Sequence, residues 1–244
     1  MSKTVSCISS APGALWCLDC HGRVFIRTNV DPMNSRLGSD WTRLNMDQLK
    51  GDGRSLRHLS CGLDVVWAVD SKGTIWARLS TDIFVQGNLT PAWVPVDLCT
   101  DPPDQTGYEA TAVVTSPEGA VVWAVSSSGQ VFARLGITEQ MPIGVGWSQV
   151  EGAACKEVTV SSGGVWAVIG SGQLLKRHQV SATNPAGNYW KAIPGAAQSI
   201  SVSPSQTLWA LNAEGKLLQH DTCVSLAPKK IVYSPSIDAE WEVV

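Results

Sequence analysis

VWAVDSKGTIWAR, residues 66–78, decides the fold. In an extended chain Val66 and Ala68 point to one side while Trp67 and Val69 point to the other, so this strand is apolar on both faces. Such a strand has to be covered from two directions. Asp70, Ser71, Lys72 and Gly73 then form a short turn, with glycine at the place where a positive φ excludes a side chain. A second apolar stretch, Ile75 to Ala77, returns and ends in Arg78. The segment reads as a β-hairpin with no solvent face.

Four further segments align with it without a gap: LWCLDCHGRVFIR (15–27), VWAVSSSGQVFAR (122–134), VWAVIGSGQLLKR (165–177) and LWALNAEGKLLQH (208–220). Their first tryptophans, Trp16, Trp67, Trp123, Trp166 and Trp209, lie 51, 56, 43 and 43 residues apart, a spacing typical of repeat architectures. The turn glycine recurs six residues on, at Gly22, Gly73, Gly129, Gly172 and Gly215. A β-branched run precedes the hairpin, as at Val158-Thr159-Val160 and Ile200-Ser201-Val202. A second tryptophan follows it, at Trp41, Trp93, Trp147 and Trp190. Each repeat therefore predicts four antiparallel strands. A lone four-stranded sheet cannot cover both faces of its own second strand, whereas radially stacked sheets can. The expected fold is all-β: a β-propeller, with five such sheets closing on themselves.

These residues resemble the tectonin β-propeller repeat family, whose motif is this W-A-V, turn glycine, apolar pair, Arg and second tryptophan. Members include lectins that bind sugar and lipopolysaccharide, and two large autophagy-linked proteins of animal cells. The resemblance is nearest to the carboxy-terminal part of one of the latter, largely through the ending of the chain. It implies a non-enzymatic scaffold or adaptor in autophagy, with roles in autophagosome formation and in export from the endoplasmic reticulum.

Composition restricts the partners. Of the 244 residues, 44% are hydrophobic and 16% charged, enough for a packed core and too few charges for disorder. A net charge of −3 with no basic cluster argues against nucleic acid. No stretch approaches the roughly 18 apolar residues of a membrane span, and MSKTVSCISS lacks the apolar core of a secretory signal. Seven cysteines without a regular framework suit reduced thiols. The expected location is cytoplasmic, and the resemblance adds autophagosomal membranes and endoplasmic-reticulum exit sites.

Three sets of residues are candidates for chemistry or binding. Cys17-Leu18-Asp19-Cys20-His21 matches a haem-attachment pattern, yet it falls on the strand and turn that read WAVDSKG elsewhere. No second ligand pair completes a metal site, so no metal and no cofactor are expected. Arg27, Arg78, Arg134 and Arg177 recur eleven residues after the first tryptophan. They either form a ring of cations for an anionic ligand or pair locally with carbonyls and cover apolar surface with their stems. His21, His58, His178 and His220 lie in unrelated contexts, and no phosphate loop or nucleophile elbow is present. No enzyme is expected.

The third set is the ending, SIDAEWEVV. Residues 1–226 hold the repeats; 227–244 read as a proline-containing connection and a terminal W-x-x-V. Trp241-Glu242-Val243-Val244 copies the second-tryptophan strands, but the distance from Trp209 is 32 residues where the other repeats have 24 to 26. The same residues resemble the LIR motif, which docks on ubiquitin-like autophagy modifiers of the GABARAP family. That likeness implies Trp241 and Val244 in two apolar pockets, with Asp238, Glu240 and Glu242 facing a basic rim. Outer strand and hook are both expected roles, and one does not exclude the other. The resemblance also makes vesicle-coat or tethering proteins conceivable partners. A lectin-like propeller binding glycans or phospholipid head groups through its loops is the alternative.

Overall fold

The computed structural model describes residues 4–11, 13–27, 29–30, 37–50, 53–79, 92–99, 107–203, 207–221 and 242–243. Among the described residues twenty strands form five four-stranded sheets, each ordered as the chain runs and arranged as the blades of a β-propeller. Blade one is β1 (Val5–Ala11), β2 (Ala14–Asp19), β3 (Val24–Arg27) and β4 (Trp41–Arg43); blade two is β5 (Leu56–Cys61), β6 (Val65–Asp70), β7 (Ile75–Leu79) and β8 (Trp93–Val96). Blade three is β9 (Ala110–Thr115), β10 (Val122–Ser126), β11 (Val131–Leu135) and β12 (Gly146–Val150); blade four is β13 (Cys155–Ser161), β14 (Gly164–Ile169), β15 (Gln173–His178) and β16 (Tyr189–Ala196). Blade five is β17 (Ser199–Val202), β18 (Thr207–Leu211), β19 (Leu217–Asp221) and β20 (Glu242–Val243). Residues 101–104 and 227–239 lie outside the described residues.

The doubly apolar hairpin strand behaves as its pattern requires, every residue of β6 being buried. Its two faces belong to different cores. Val66 and Ala68 pack with Trp16, Leu18 and Ile26 of blade one, while Trp67 and Val69 pack with Val113, Ala124 and Phe132 of blade three. The same division recurs down the chain, so blades one to four each have a forward face bearing the first tryptophan and a backward face bearing the second. Trp67 meets Trp147 of the next blade edge-on at 6.3 Å between ring centroids, and Trp123 meets Trp190 in the same way at 5.8 Å. First strands of consecutive blades abut and line the centre. There, Cys61 N–H donates to Ser9 Oγ at 2.9 Å and Thr115 N–H to Ser60 Oγ at 3.1 Å.

The turn glycines have a second duty beyond their positive φ. A Cβ on Gly73 would lie 2.7 Å from Glu109 Cβ, and one on Gly22 would lie 2.7 Å from Ser55 Cβ, so each turn seats against the next blade. The carbonyls of Gly73, Gly129 and Gly172 accept hydrogen bonds from Ala110, Cys155 and Ala197 at 2.8–2.9 Å. One element has no counterpart in the repeat pattern: α1 (Asp47–Lys50), a single helical turn between blades one and two. Asn45 Oδ1 accepts from Asp47 N–H at 2.8 Å and so starts the turn. Leu49 enters the core, and the Gln48 amide clamps both backbone groups of Trp93.

The blades are joined in series. Four buried clusters join blades one to two, two to three, three to four and four to five. Among the described residues no buried cluster joins blade five to blade one.

Candidate functional site

The four arginines share one local geometry. Each stands directly across from the second tryptophan of its own blade: Arg27 from Trp41, Arg78 from Trp93, Arg134 from Trp147 and Arg177 from Trp190. Three guanidinium groups cover that ring, at 5.6, 5.0 and 5.4 Å from the centroids of Trp41, Trp147 and Trp190. Their N–H groups are turned into the loop preceding the outer strand. Arg134 Nε donates to Ile143 O at 2.8 Å and Nη2 to Gly144 O at 3.2 Å; Arg177 Nε donates to Ala186 O at 2.9 Å and Nη2 to Gly187 O at 3.3 Å. Arg27 Nε donates to Leu37 O, the equivalent carbonyl of blade one. Arg78, Arg134 and Arg177 are all buried, and burial draws Arg134 down to about 10, still charged at neutral pH. Ring and carbonyls make Arg27, Arg134 and Arg177 staples between hairpin, loop and outer strand.

The Cys17 to His21 stretch forms the strand end and turn that the repeat alignment assigns to it. Cys17 is buried, Cys20 is exposed, and Cys20 Sγ lies 3.2 Å from His21 Nδ1. Asp19 Oδ1 accepts from the N–H groups of His21 and Arg23 at 3.0 and 2.9 Å, folding the turn around its own carboxylate. Asp70 repeats this with Lys72 and Thr74, Asn212 with Glu214 and Lys216, and Ser126 with Gln130. Among the described residues no group of three His, Cys, Asp or Glu side chains is placed to hold a metal ion, and no helix is long and apolar enough to cross a membrane.

At the carboxyl end, Asp238, Glu240, Trp241 and Val244 lie outside the described residues. The backbone of Glu242 and Val243 is described and forms β20, across from Gln219 and Leu218 of β19. This is the register of the other outer strands, in which Ser148 and Gln149 face Ala133 and Phe132, and Lys191 and Ala192 face Lys176 and Leu175.

Sequence reading missed the two outermost blade faces. On blade five the forward face is Thr207, Trp209, Leu211, Leu217 and Gln219, and none of these is buried. Trp16, Trp67, Trp123 and Trp166 are fully buried at the same position. On blade one the backward face exposes Ile8 by 61% and Trp41 by 42%, where blade three buries Val113 and Trp147 completely or nearly so. A cavity of about 460 Å³ opens beside Trp41, lined by Ser10, Leu15, Arg27, Val30 and Leu37. Strand parity puts these residues on their faces, but no local pattern says which face lacks a neighbour.

Fold and repeat geometry define a β-propeller repeat protein. The tectonin-domain profile matches residues 24–162, and a further propeller profile matches residues 164–193, so the chain belongs to the tectonin family. Over 150 residues it is 36% identical to human tectonin beta-propeller repeat-containing protein 2, a match covering 61% of this chain and 10% of that protein. A Drosophila melanogaster tectonin beta-propeller repeat-containing protein is 31% identical over 100 residues, covering 39% of this chain and 7% of the fly protein. The chain thus matches about a tenth or less of these relatives' length. Two solved structures share the fold at low identity. Human WBSCR16 superposes with a TM-score of 0.57 at 14% identity, covering 89% of this chain and 61% of its own. YCF48 from Cyanidioschyzon merolae superposes at 0.55 and 12%, covering 97% and 70%.

Proposed function

We propose that the chain is a non-enzymatic, protein-binding scaffold of autophagy whose terminal residues recruit ubiquitin-like modifiers of the GABARAP family. The observation that carries this reading is β20. It is a rim strand whose two described residues pair with Leu218 and Gln219 of β19. A short edge strand offers its main chain to another sheet as readily as to its own, and releasing it costs no more than a few kcal/mol. In the repeat alignment Trp241 takes the place of Trp41, Trp93, Trp147 and Trp190. The proposed cycle exchanges this blade position for a modifier's apolar pockets, with Trp241 and Val244 as anchors and Asp238, Glu240 and Glu242 steering the encounter. Assistance in autophagosome formation and in export from the endoplasmic reticulum belongs to the same proposal.

Calorimetric titration of a GABARAP-family protein tests it, using a peptide of residues 234–244, its Trp241→Ala version and the intact chain. The expected result is binding of the wild-type peptide at about micromolar strength and loss of binding with alanine. The intact chain binds more weakly by the cost of strand release, tenfold for about each 1.4 kcal/mol. A wild-type peptide that does not bind overturns the proposal.

A further inference from the structure

We infer that the forward face of blade five and the backward face of blade one are interfaces, covered by further tectonin-type blades that complete one ring. Four interfaces within the chain show what such faces accept. At each, a buried first tryptophan enters the next blade's backward face, and a turn glycine seats on the start of that next blade. Blade five has both halves of this device and uses neither. Trp209 is only partly covered, Leu211 and Leu217 are 39% and 41% exposed, and a Cβ on Gly215 would meet open space. At Gly22, Gly73, Gly129 and Gly172 the same test meets the following blade at 2.7–3.3 Å.

Blade one presents the complementary half. The cavity beside Trp41 lies on its backward face, where a preceding blade would bring its first tryptophan, as Trp67 comes to Trp147. Val5 and Ile8, exposed here, correspond to Ala110 and Val113, which blade two covers in blade three. Faces this apolar at the two ends of one arc fit partners of the same construction. The occupant is additional blades, not a second copy of the chain. Propellers typically close with four to eight blades, so an arc of five leaves room for about three at most. A second copy would bring five.

The test extends the intact chain after Val244 by one, two or three copies of residues 151–198, which hold the fourth blade and the connection before it. Hydroxyl-radical footprinting with mass spectrometry then reads each tryptophan. In the unextended chain, Trp41 and Trp209 should oxidise at least several-fold faster than Trp67 and Trp123. One added blade should protect Trp209, and the copy number at which Trp41 also becomes protected counts the missing blades. Three results overturn the inference. Trp41 and Trp209 are already protected in the monomeric unextended chain, which closes the ring at five. Protection appears only as the unextended chain is concentrated, which makes a second copy the occupant. Both tryptophans stay open in every extended chain.

Discussion

Asp70 shows how much a single turn residue carries. One carboxylate oxygen receives the N–H groups of Lys72 and Thr74, and the other receives Trp76 Nε1 at 2.9 Å and Arg54 Nη1 at 2.6 Å. Burial opposes ionisation, but these hydrogen bonds from Trp76, Arg54, Thr74 and Lys72 outweigh it and hold the carboxyl below its ordinary 3.8. A depressed folded-state value stabilises the fold fully above 3.8 and loses that contribution as pH falls through the lower value. Asp70→Asn is therefore expected to cost about 1–3 kcal/mol at pH 7 and to flatten the acid limb of stability below pH 4. Urea unfolding at several pH values measures both. Asp70 was legible in the sequence only as a turn residue; its partner Arg54 lies 16 positions away and shares no motif with it. The arginines were legible as a periodic set, and both readings of them were available. The loop carbonyls that Arg27, Arg134 and Arg177 reach were not legible, because their direction is not encoded in the sequence.

At the scale of the element, the hairpin was fully legible, because turn glycine, strand parity and apolar alternation all point to it. The helical turn α1 was not. Its starting residue Asn45 and its buried Leu49 are ordinary in isolation, and its purpose, clamping Trp93, depends on a strand 45 residues further on. The repeated glycines separate two effects that sequence alone merges. Gly73 and Gly215 both have positive φ, +77° and +75°, but only Gly73 touches the next blade. Gly215→Ala should cost about 1–2 kcal/mol for the backbone alone. Gly73→Ala should add about 1–3 kcal/mol for crowding against Glu109. Equilibrium denaturation of the two variants measures the difference. Equal losses would mean that the turn does not bear on its neighbour.

Across the whole molecule, stability is expected to grade from the middle of the arc outward, because each blade is held only by those beside it. Trp67→Ala, which empties a core shared by two blades, should cost about 3–5 kcal/mol, and Trp209→Ala distinctly less. Hydrogen exchange should find β6, β10 and β14 the slowest strands and β18 faster. Uniform protection across all five would contradict this grading. The blade count was legible because the motif recurs in register. Closure was not, since it depends on how far each sheet turns from the last, a sum over weak twists that no single residue reports.

The pairing of a forward tryptophan with a backward one gives the array a direction. Like faces do not match, so blades add head to tail, as monomers do in a polar filament. Tandem duplication of one repeat would lengthen such a protein at no cost in compatibility. In that light the number of blades is a property of the array's length and curvature, and the individual repeat carries no record of it.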